Sequence, residues 1–417
     1  MTAKAVKQEK YSHRQPSFNP AVADLTAPPI PLVQGWAGTY AGQHGPLIDL
    51  SQAVPGYPPH PDLLANLAQC AADPGLAGYG DIEGEANLRE AFAAYTSLEL
   101  GADIKSENIQ ITAGCNQAFV IAMLVAAAAG DRVLLTNPCF FNHEAALKMI
   151  GLEPRFVDCR AADGFVPDAA AIAQAIDRDG IRVVALVTPN NPTGAAYPDA
   201  CLHDIQAVCA ERGVWLVIDE TYADFLPSGT APRHQLLNTP GWEKNTILLY
   251  SFSKTYCIPG HRVGAITAGA DVIVQATKVM DNLQICAPRH AQAALADALT
   301  GLTRWRHANT TEIARRADAF RSALADVPAW KITALGAYFA YVQHPFDDRS
   351  SMTVAENLAR EAGIVCLPGT FFGDGQESFL RMAFANVDAD QIARIPARFD
   401  TFCGPDSNRN LPAPPSA

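Results

Sequence analysis

"YSFSKTYCIPGHRVGAITAG", Tyr250 to Gly269, sets one lysine and one arginine between two strand-like runs. Thr246 to Tyr250 and Val263 to Thr267 are the apolar flanks, and Lys254 and Arg262 fall between them. The pattern predicts two cations where a sheet ends and a loop begins. Ligands of open α/β sheets sit at the carboxyl ends of the strands, so the other strand ends decide what these cations serve.

Three further strand ends carry chemistry. "TAGCNQA" (Thr112 to Ala118) follows a strand and opens a helical run, Cys115 to Ala129. The backbone N–H groups of Gly114, Cys115 and Asn116 are placed there to cradle a phosphate against the positive end of the helix. "VTPNNPTG" (Val187 to Gly194) ends a second strand in an Asn–Pro turn, and "VIDETY" (Val217 to Tyr222) ends a third on Asp219. Lys254, Ser251 and Arg262 complete the set. Each motif alone has an ordinary reading as a turn, a cap or an ion pair. Their joint order and their place at strand ends point to one site.

The same segments set the fold class. "IRVVALVTP", "VWLVIDE" and "TILLYSFS" are continuous apolar runs, as expected of parallel strands covered by helices on both faces. Helices are expected near 141 to 150 and 198 to 211, and two long ones at 271 to 300 and 302 to 326. Mixed segments follow, "AYFAYVQ", "GIVCLPG" and "SFLRMAFA". A chain of 417 residues exceeds the usual size of one core. The expectation is an α/β protein with a mostly parallel central sheet, divided into an arm with part of a small domain (1–60), a large domain (61–290) and a small α+β domain (291–417). Residues 1 to about 45 are polar and Pro-rich, an arm lying on another surface or partly disordered, and "CGPDSNRNLPAPPSA" is a frayed tail.

Composition narrows the partners. A net charge of −12 disfavours nucleic acid or an anionic membrane, so any phosphate binding is local. The ten cysteines are scattered, without a CxxC pair or a zinc-spaced histidine cluster, and read as reduced thiols of a cytoplasmic protein that binds no metal. The N-terminus lacks the apolar core of a secretory signal. The longest apolar run, Ala118 to Ala129, is well short of the roughly 20 residues that cross a bilayer.

A lysine, an aspartate at a neighbouring strand end, an arginine and oriented N–H and O–H donors suit pyridoxal phosphate. The lysine bonds the cofactor aldehyde, the carboxylate keeps the pyridine nitrogen protonated so that the ring draws electrons, and the arginine meets the phosphate.

"NNPTG", "VIDETYADF" and "SFSKTYCIPGHRVG", in that order, resemble the class I/II aminotransferases of fold type I. "GYGDIEGEANLREAF", "NPCFF" and "FLRMAFA" extend the resemblance over roughly residues 45 to 400. It implies pyridoxal 5'-phosphate as cofactor, with Lys254 forming the internal aldimine and moving a proton between the substrate Cα and the cofactor. It further implies that Asp219 pairs with the pyridine nitrogen, that Asn191 and Tyr222 bond the phenolic oxygen, and that Phe140 stacks on the ring. Ser251, Arg262 and the amides of Gly114, Cys115 and Asn116 would hold the phosphate, joined by Tyr79 lent across a homodimer interface. Arg381, with Asn191, would take the substrate α-carboxylate through its two-pronged guanidinium. Ala53, in "LSQAVPGYPP", stands where a glycine is common in the family, on the substrate side. Trp36 and Tyr40 are expected to be buried against the large domain rather than at the entrance.

The implied activity is transfer of an amino group from an α-amino acid to a 2-oxo acid. The alternative on the same fold and lysine is a lyase, cyclase or oxidase acting on an amino acid. A non-catalytic sensor fused to a DNA-binding module is disfavoured, because the roughly 45 residues ahead of the first motif are too few and too irregular for a helix-turn-helix.

Overall fold

The computed structural model describes residues 17–226 and 233–402. The expected tail from Cys403 and the first part of the arm lie outside the described residues. In chain order the strands are β1 (Ile48–Asp49), β2 (Ile109–Thr112), β3 (Arg132–Asn137), β4 (Glu153–Asp158), β5 (Ile181–Val187), β6 (Trp215–Asp219) and β7 (Thr246–Ser251). They continue as β8 (Gly264–Thr267), β9 (Lys331–Gly336), β10 (Phe339–Gln343), β11 (Ile364–Val365), β12 (Leu367–Pro368) and β13 (Phe379–Met382).

The central sheet has seven strands in the order β2-β8-β7-β6-β5-β3-β4. All its pairings are parallel except the two that β8 makes with β7 and β2. The expected mostly parallel α/β fold is therefore present, and its inner strands are buried runs as read from their composition, every residue of β7 and β8 being buried, whereas the edge strand β4 is largely exposed. Helices cross over between them. Cys115–Ala126 is apolar on nearly every side and lies buried against β7 and β8, which suits a helix enclosed by its own domain.

This topology gathers the loaded strand ends on one edge. β2, β3, β5, β6 and β7 run the same way, so Thr112, Asn137, Val187, Asp219 and Ser251 all finish there. β8 runs against them and begins on that edge, where Gly264 pairs with both Ser251 and Thr112. Arg262, two residues earlier, is thereby delivered beside Gly114 although it precedes a strand instead of following one.

Two hydrophobic clusters organise the molecule. One draws on residues from Leu63 to Leu302 and surrounds the central sheet. The other joins Val33, Trp36, Ile48 and Leu50 of the N-terminal segment to residues 313–402 and to the four-stranded antiparallel sheet β12-β13-β10-β9. β1 pairs in parallel with β11, which fastens the N-terminal segment to the C-terminal part of the chain. Trp36 packs in this second cluster, not against the large sheet. The single helix expected over 271–300 is two, Ala270–Leu283 and Arg289–Gly301. Ile285 adopts a left-handed φ of 70° between them and Pro288 precedes the second, so neither helix runs through.

A buried polar knot ties β7 to the loop after β6. The Asp224 carboxylate accepts hydrogen bonds from Tyr95, Arg233, Tyr250 and Thr255, the last at 2.5 Å. The Thr310 hydroxyl donates to the Asp224 carbonyl at 2.8 Å, which brings in the long helix Thr303–Ala325. Burial raises the Asp224 carboxyl, but Arg233, Arg306 and its hydroxyl donors outweigh that and hold it below the usual carboxylate value. Asp224→Ala strands a buried guanidinium, and we expect a loss of about 3–5 kcal/mol, read as a lowered urea midpoint; a midpoint within experimental error of the parent contradicts this account of the knot.

Candidate active site

A cavity of about 670 Å³ opens at the gathered strand ends. Its wall includes Cys115, Asn116, Phe140, Asn191, Asp219, Tyr222, Ser251, Lys254, Arg262 and Arg381, so the structure brings together nearly all of the residues singled out in the sequence. Gly114 sits just behind that wall. A Cβ on it would collide with the Arg262 guanidinium, whose central carbon would lie 2.8 Å away, and its φ of 90° already favours glycine. Tyr79 is not in the wall: it is 80% exposed.

Lys254 lies on the short helix Phe252–Thr255, which the Ser251 side chain caps by accepting from the Ser253 N–H at 3.3 Å. Its Nζ donates to the Ala53 carbonyl at 2.6 Å. Burial, followed by the positive charges of Arg381 and Arg262, pulls the amine down from 10.5 to about 8. Arg262 holds a left-handed φ of 53°, uncommon for a side chain of that size, and donates to the Pro259 carbonyl at 2.9 Å. The strained backbone aims the guanidinium at the N-terminus of Cys115–Ala126.

Asp219 ends β6 in a buried position. Its Oδ2 is 3.2 Å from His143 Nε2, and its Oδ1 accepts from the Thr221 N–H at 2.9 Å. Burial raises its carboxyl, yet the hydrogen bond and charge of His143, with Thr221, hold it below the ordinary value. His143 is itself fixed by stacking on Phe119, ring centres 3.9 Å apart and planes 6° from parallel, with Phe140 edge-on at 5.3 Å. Tyr222 is buried beside them, and burial pushes its hydroxyl up.

On the opposite wall Arg381, on β13, donates to the Ser51 carbonyl and, at 3.2 Å, to Asn191 Oδ1. Its guanidinium faces the rings of Phe339 and Phe372 at 5.0 and 5.4 Å. Burial pulls it down to about 10, and its Nε has no hydrogen-bond partner among the described residues. A buried guanidinium short of one acceptor is built to receive an anion.

Sequence reasoning missed His143, Thr221 and the role of the Ala53 carbonyl. His143 had a usable signal: it lies three residues after Phe140, which puts both on one face of the helix Phe141–Met149 and its first turn. Leu25, Thr26 and Pro28 to Ile30 also line the cavity, so the arm is part of the site, whereas Trp36 is not.

The donor set fits pyridoxal phosphate. Ser251, Arg262 and a helix N-terminus offer a phosphate cradle, an ionised buried aspartate lies beyond it, and an amine lowered to about 8 lies beside both. Fold and site together define a pyridoxal-phosphate enzyme of fold type I. The chain belongs to the class I and II aminotransferases, whose family model matches residues 45–399. It is 28% identical over 357 residues to an aromatic aminotransferase of Arabidopsis thaliana, covering 84% of this chain and 88% of that one. It is 27% identical over 370 residues to a valine–pyruvate aminotransferase of Mycobacterium tuberculosis, covering 87% and 93%. Among solved structures, a double mutant of Thermus thermophilus aspartate aminotransferase superposes with a TM-score of 0.85 at 23% identity, covering 93% of this chain and all of that one. An aminotransferase from Mycobacterium tuberculosis gives 0.84 at 26% identity, covering 93% and 99%. The protein is thus a pyridoxal-phosphate-dependent aminotransferase, as the motifs implied.

The depressed lysine gives a direct pH test. Only the neutral amine reacts with acylating reagents, so in cofactor-free protein labelling of Lys254 rises with pH around a midpoint near 8. Other lysines follow their ordinary value of about 10.4. Labelling read by peptide mass spectrometry checks this, and a Lys254 midpoint above 10 contradicts the charge arrangement described.

Proposed function

We propose that this aminotransferase moves the amino group of an α-amino acid to a 2-oxo acid with Lys254 as the proton-transferring base and Arg381 as the carboxylate anchor. The observation that carries this reading is the pairing of an amine lowered to about 8 with a buried, incompletely partnered guanidinium across one cavity. Lys254 would hold the cofactor covalently. Ser251, Arg262 and the amides of Gly114, Cys115 and Asn116 would hold its phosphate, Asp219 its ring nitrogen, Asn191 and Tyr222 its phenolic oxygen, and Phe140 a face of its ring. The bound cofactor supplies an electron-withdrawing ring that acidifies the substrate Cα–H.

The protein's own groups do the rest. Arg381 fixes the α-carboxylate, which sets where Cα stands relative to the Lys254 Nζ. Lys254, its amine lowered to about 8, would take the Cα proton and deliver it to the cofactor carbon joined to the same nitrogen. His143 keeps Asp219 ionised and oriented, so a proton on the ring nitrogen faces a full negative charge. Phe140, Phe141 and the arm residues Leu25 to Ile30 exclude water around the reacting carbon.

The same reading extends to assembly and place. Tyr79, 80% exposed and outside the cavity of its own chain, suits a residue lent to a second copy, and we infer a homodimer. Nine free cysteines among the described residues favour a reducing, cytoplasmic setting. We also propose the three-part division at 1–60, 61–290 and 291–417, with the second boundary moved to about 302, because Leu295 and Leu299 of Arg289–Gly301 belong to the core around the large sheet.

Lys254→Ala and Arg381→Ala separate the two roles. The first variant should lose turnover by at least about 10²-fold, the usual scale of general acid–base catalysis. The second should chiefly raise KM for amino and oxo acids while binding of the cofactor, followed by its absorbance, is kept. Rapid turnover by the first, or unchanged KM in the second, contradicts the assignment.

A further inference from the structure

We propose that the tight turn between β9 and β10, Gly336–Phe339, sets the position of the Lys254 amine against the Arg381 guanidinium, with the Tyr338 hydroxyl as the positioning group. The proposal rests on the aminotransferase reading, in which these two cations meet the reacting carbon and the α-carboxylate.

The backbone of the turn is constrained from within and from outside. Gly336 pairs with Phe339 across the hairpin, which leaves Ala337 and Tyr338 as a two-residue loop. Such loops need a left-handed residue, usually glycine or asparagine; here Ala337 fills the place at a φ of 45°. A residue with a side chain keeps that conformation when its neighbours dictate it. Gly336 lies against Gly194, the last residue of "NNPTG": a Cβ on Gly194 would come 2.5 Å from the Gly336 carbonyl oxygen and 2.7 Å from that of Phe339. Backbone meets backbone there, with no side chain between the two to absorb a shift.

The side chains of the turn reach the rest of the site. The hydroxyl of Tyr338, a fully buried residue, donates to the Lys254 carbonyl at 3.4 Å. That carbonyl stands at the end of the short helix Phe252–Thr255, where its backbone partner, the Cys257 N–H at 3.3 Å, lies in the same loop; Tyr338 ties it to the second core. The Tyr338 ring tilts on Tyr222 and Phe225, at 5.3 and 4.6 Å, and Phe339 meets Tyr222 edge-on at 5.0 Å. Phe339 also lies 5.0 Å from the Arg381 guanidinium, and β10 runs on beside β13 with Tyr341 opposite Arg381. One turn therefore spans the Asn191 loop, the lysine segment, Tyr222 and the arginine. Lys254 comes from the large sheet and Arg381 from the second core, so proton transfer at a carboxylate-anchored substrate depends on how firmly the two are held apart.

Tyr338→Phe removes the hydroxyl and keeps the ring on Tyr222 and Phe225. Tyr341→Phe is the control on the same strand, because that buried hydroxyl donates to Gln376 Oε1 at 3.0 Å and not to the lysine segment. Two measurements are made on each variant. In cofactor-free protein, acylation of Lys254 read by peptide mass spectrometry gives the midpoint of its amine. In cofactor-loaded protein, kcat and KM are measured with the fastest of leucine, phenylalanine, aspartate and arginine as donor and 2-oxoglutarate as acceptor. A loosened lysine segment admits water to the amine and moves it from Arg381, so Tyr338→Phe should raise the midpoint from about 8 by at least about half a unit. It should lower kcat by about tenfold and change KM by less than about twofold, while Tyr341→Phe matches the parent in both measurements. An unmoved midpoint in Tyr338→Phe, or an equal shift in Tyr341→Phe, overturns the proposal. A raised midpoint without loss of kcat keeps the turn as the support of the amine, and it is then the role of Lys254 as the base that falls.

Discussion

Three positive side chains and one carboxylate share the cavity at the end of the central sheet, and that imbalance is what the surrounding structure is built to hold. Burial and the charges of Arg381 and Arg262 shift Lys254 toward its neutral form, and burial alone does the same to Arg381. Among the described residues Asp219 and Asp49 offset the excess only in part, and Asp219 is already engaged by His143 and Thr221. In the proposed roles, a phosphate at Arg262 and a carboxylate at Arg381 would match the excess positive charge. On that proposal, substrate and cofactor recognition would use one electrostatic arrangement.

Keeping like charges close demands rigidity, and the fold supplies it from several directions. The parallel strands bring Asp219, Ser251 and the Asn190–Asn191 turn to one edge, while the single reversed strand β8 delivers Arg262 to the same edge. The tight packing of Gly264 against Gly114 and the Cys115 amide leaves no room for a Cβ, which would come within 2.7 Å of the backbone. Arg381 arrives from the second core, through β13, and its bond to Asn191 at 3.2 Å reaches the turn after β5 of the large sheet. The Asp224 knot stiffens the loop directly after Asp219 and Tyr222.

Much of this was legible in the sequence because the chemistry sits beside strand ends, where a motif and its secondary structure are read together. The continuous apolar strands, the Asp219 and Lys254 positions, and the phosphate cradle needed only local pattern. What escaped depended on pairing across long sequence distances. His143 acquires its role only because the helix Phe141–Met149 packs over Phe119 and the end of β6. Leu25 to Ile30 read as an arm because their apolar partners lie in segments far along the chain. The break near Ile285 was hidden for the opposite reason: its flanks favour helix, and the left-handed residue that divides them carries no glycine to announce it.

The proposed site requires that one amine, at Lys254, carry the cofactor opposite the Asp219 carboxylate. Borohydride reduction of the cofactor-loaded protein, followed by peptide mapping, tests it most directly. A single labelled peptide containing Lys254 is expected. A label on another lysine, or folded protein that takes up no label when supplied with pyridoxal phosphate, would contradict it.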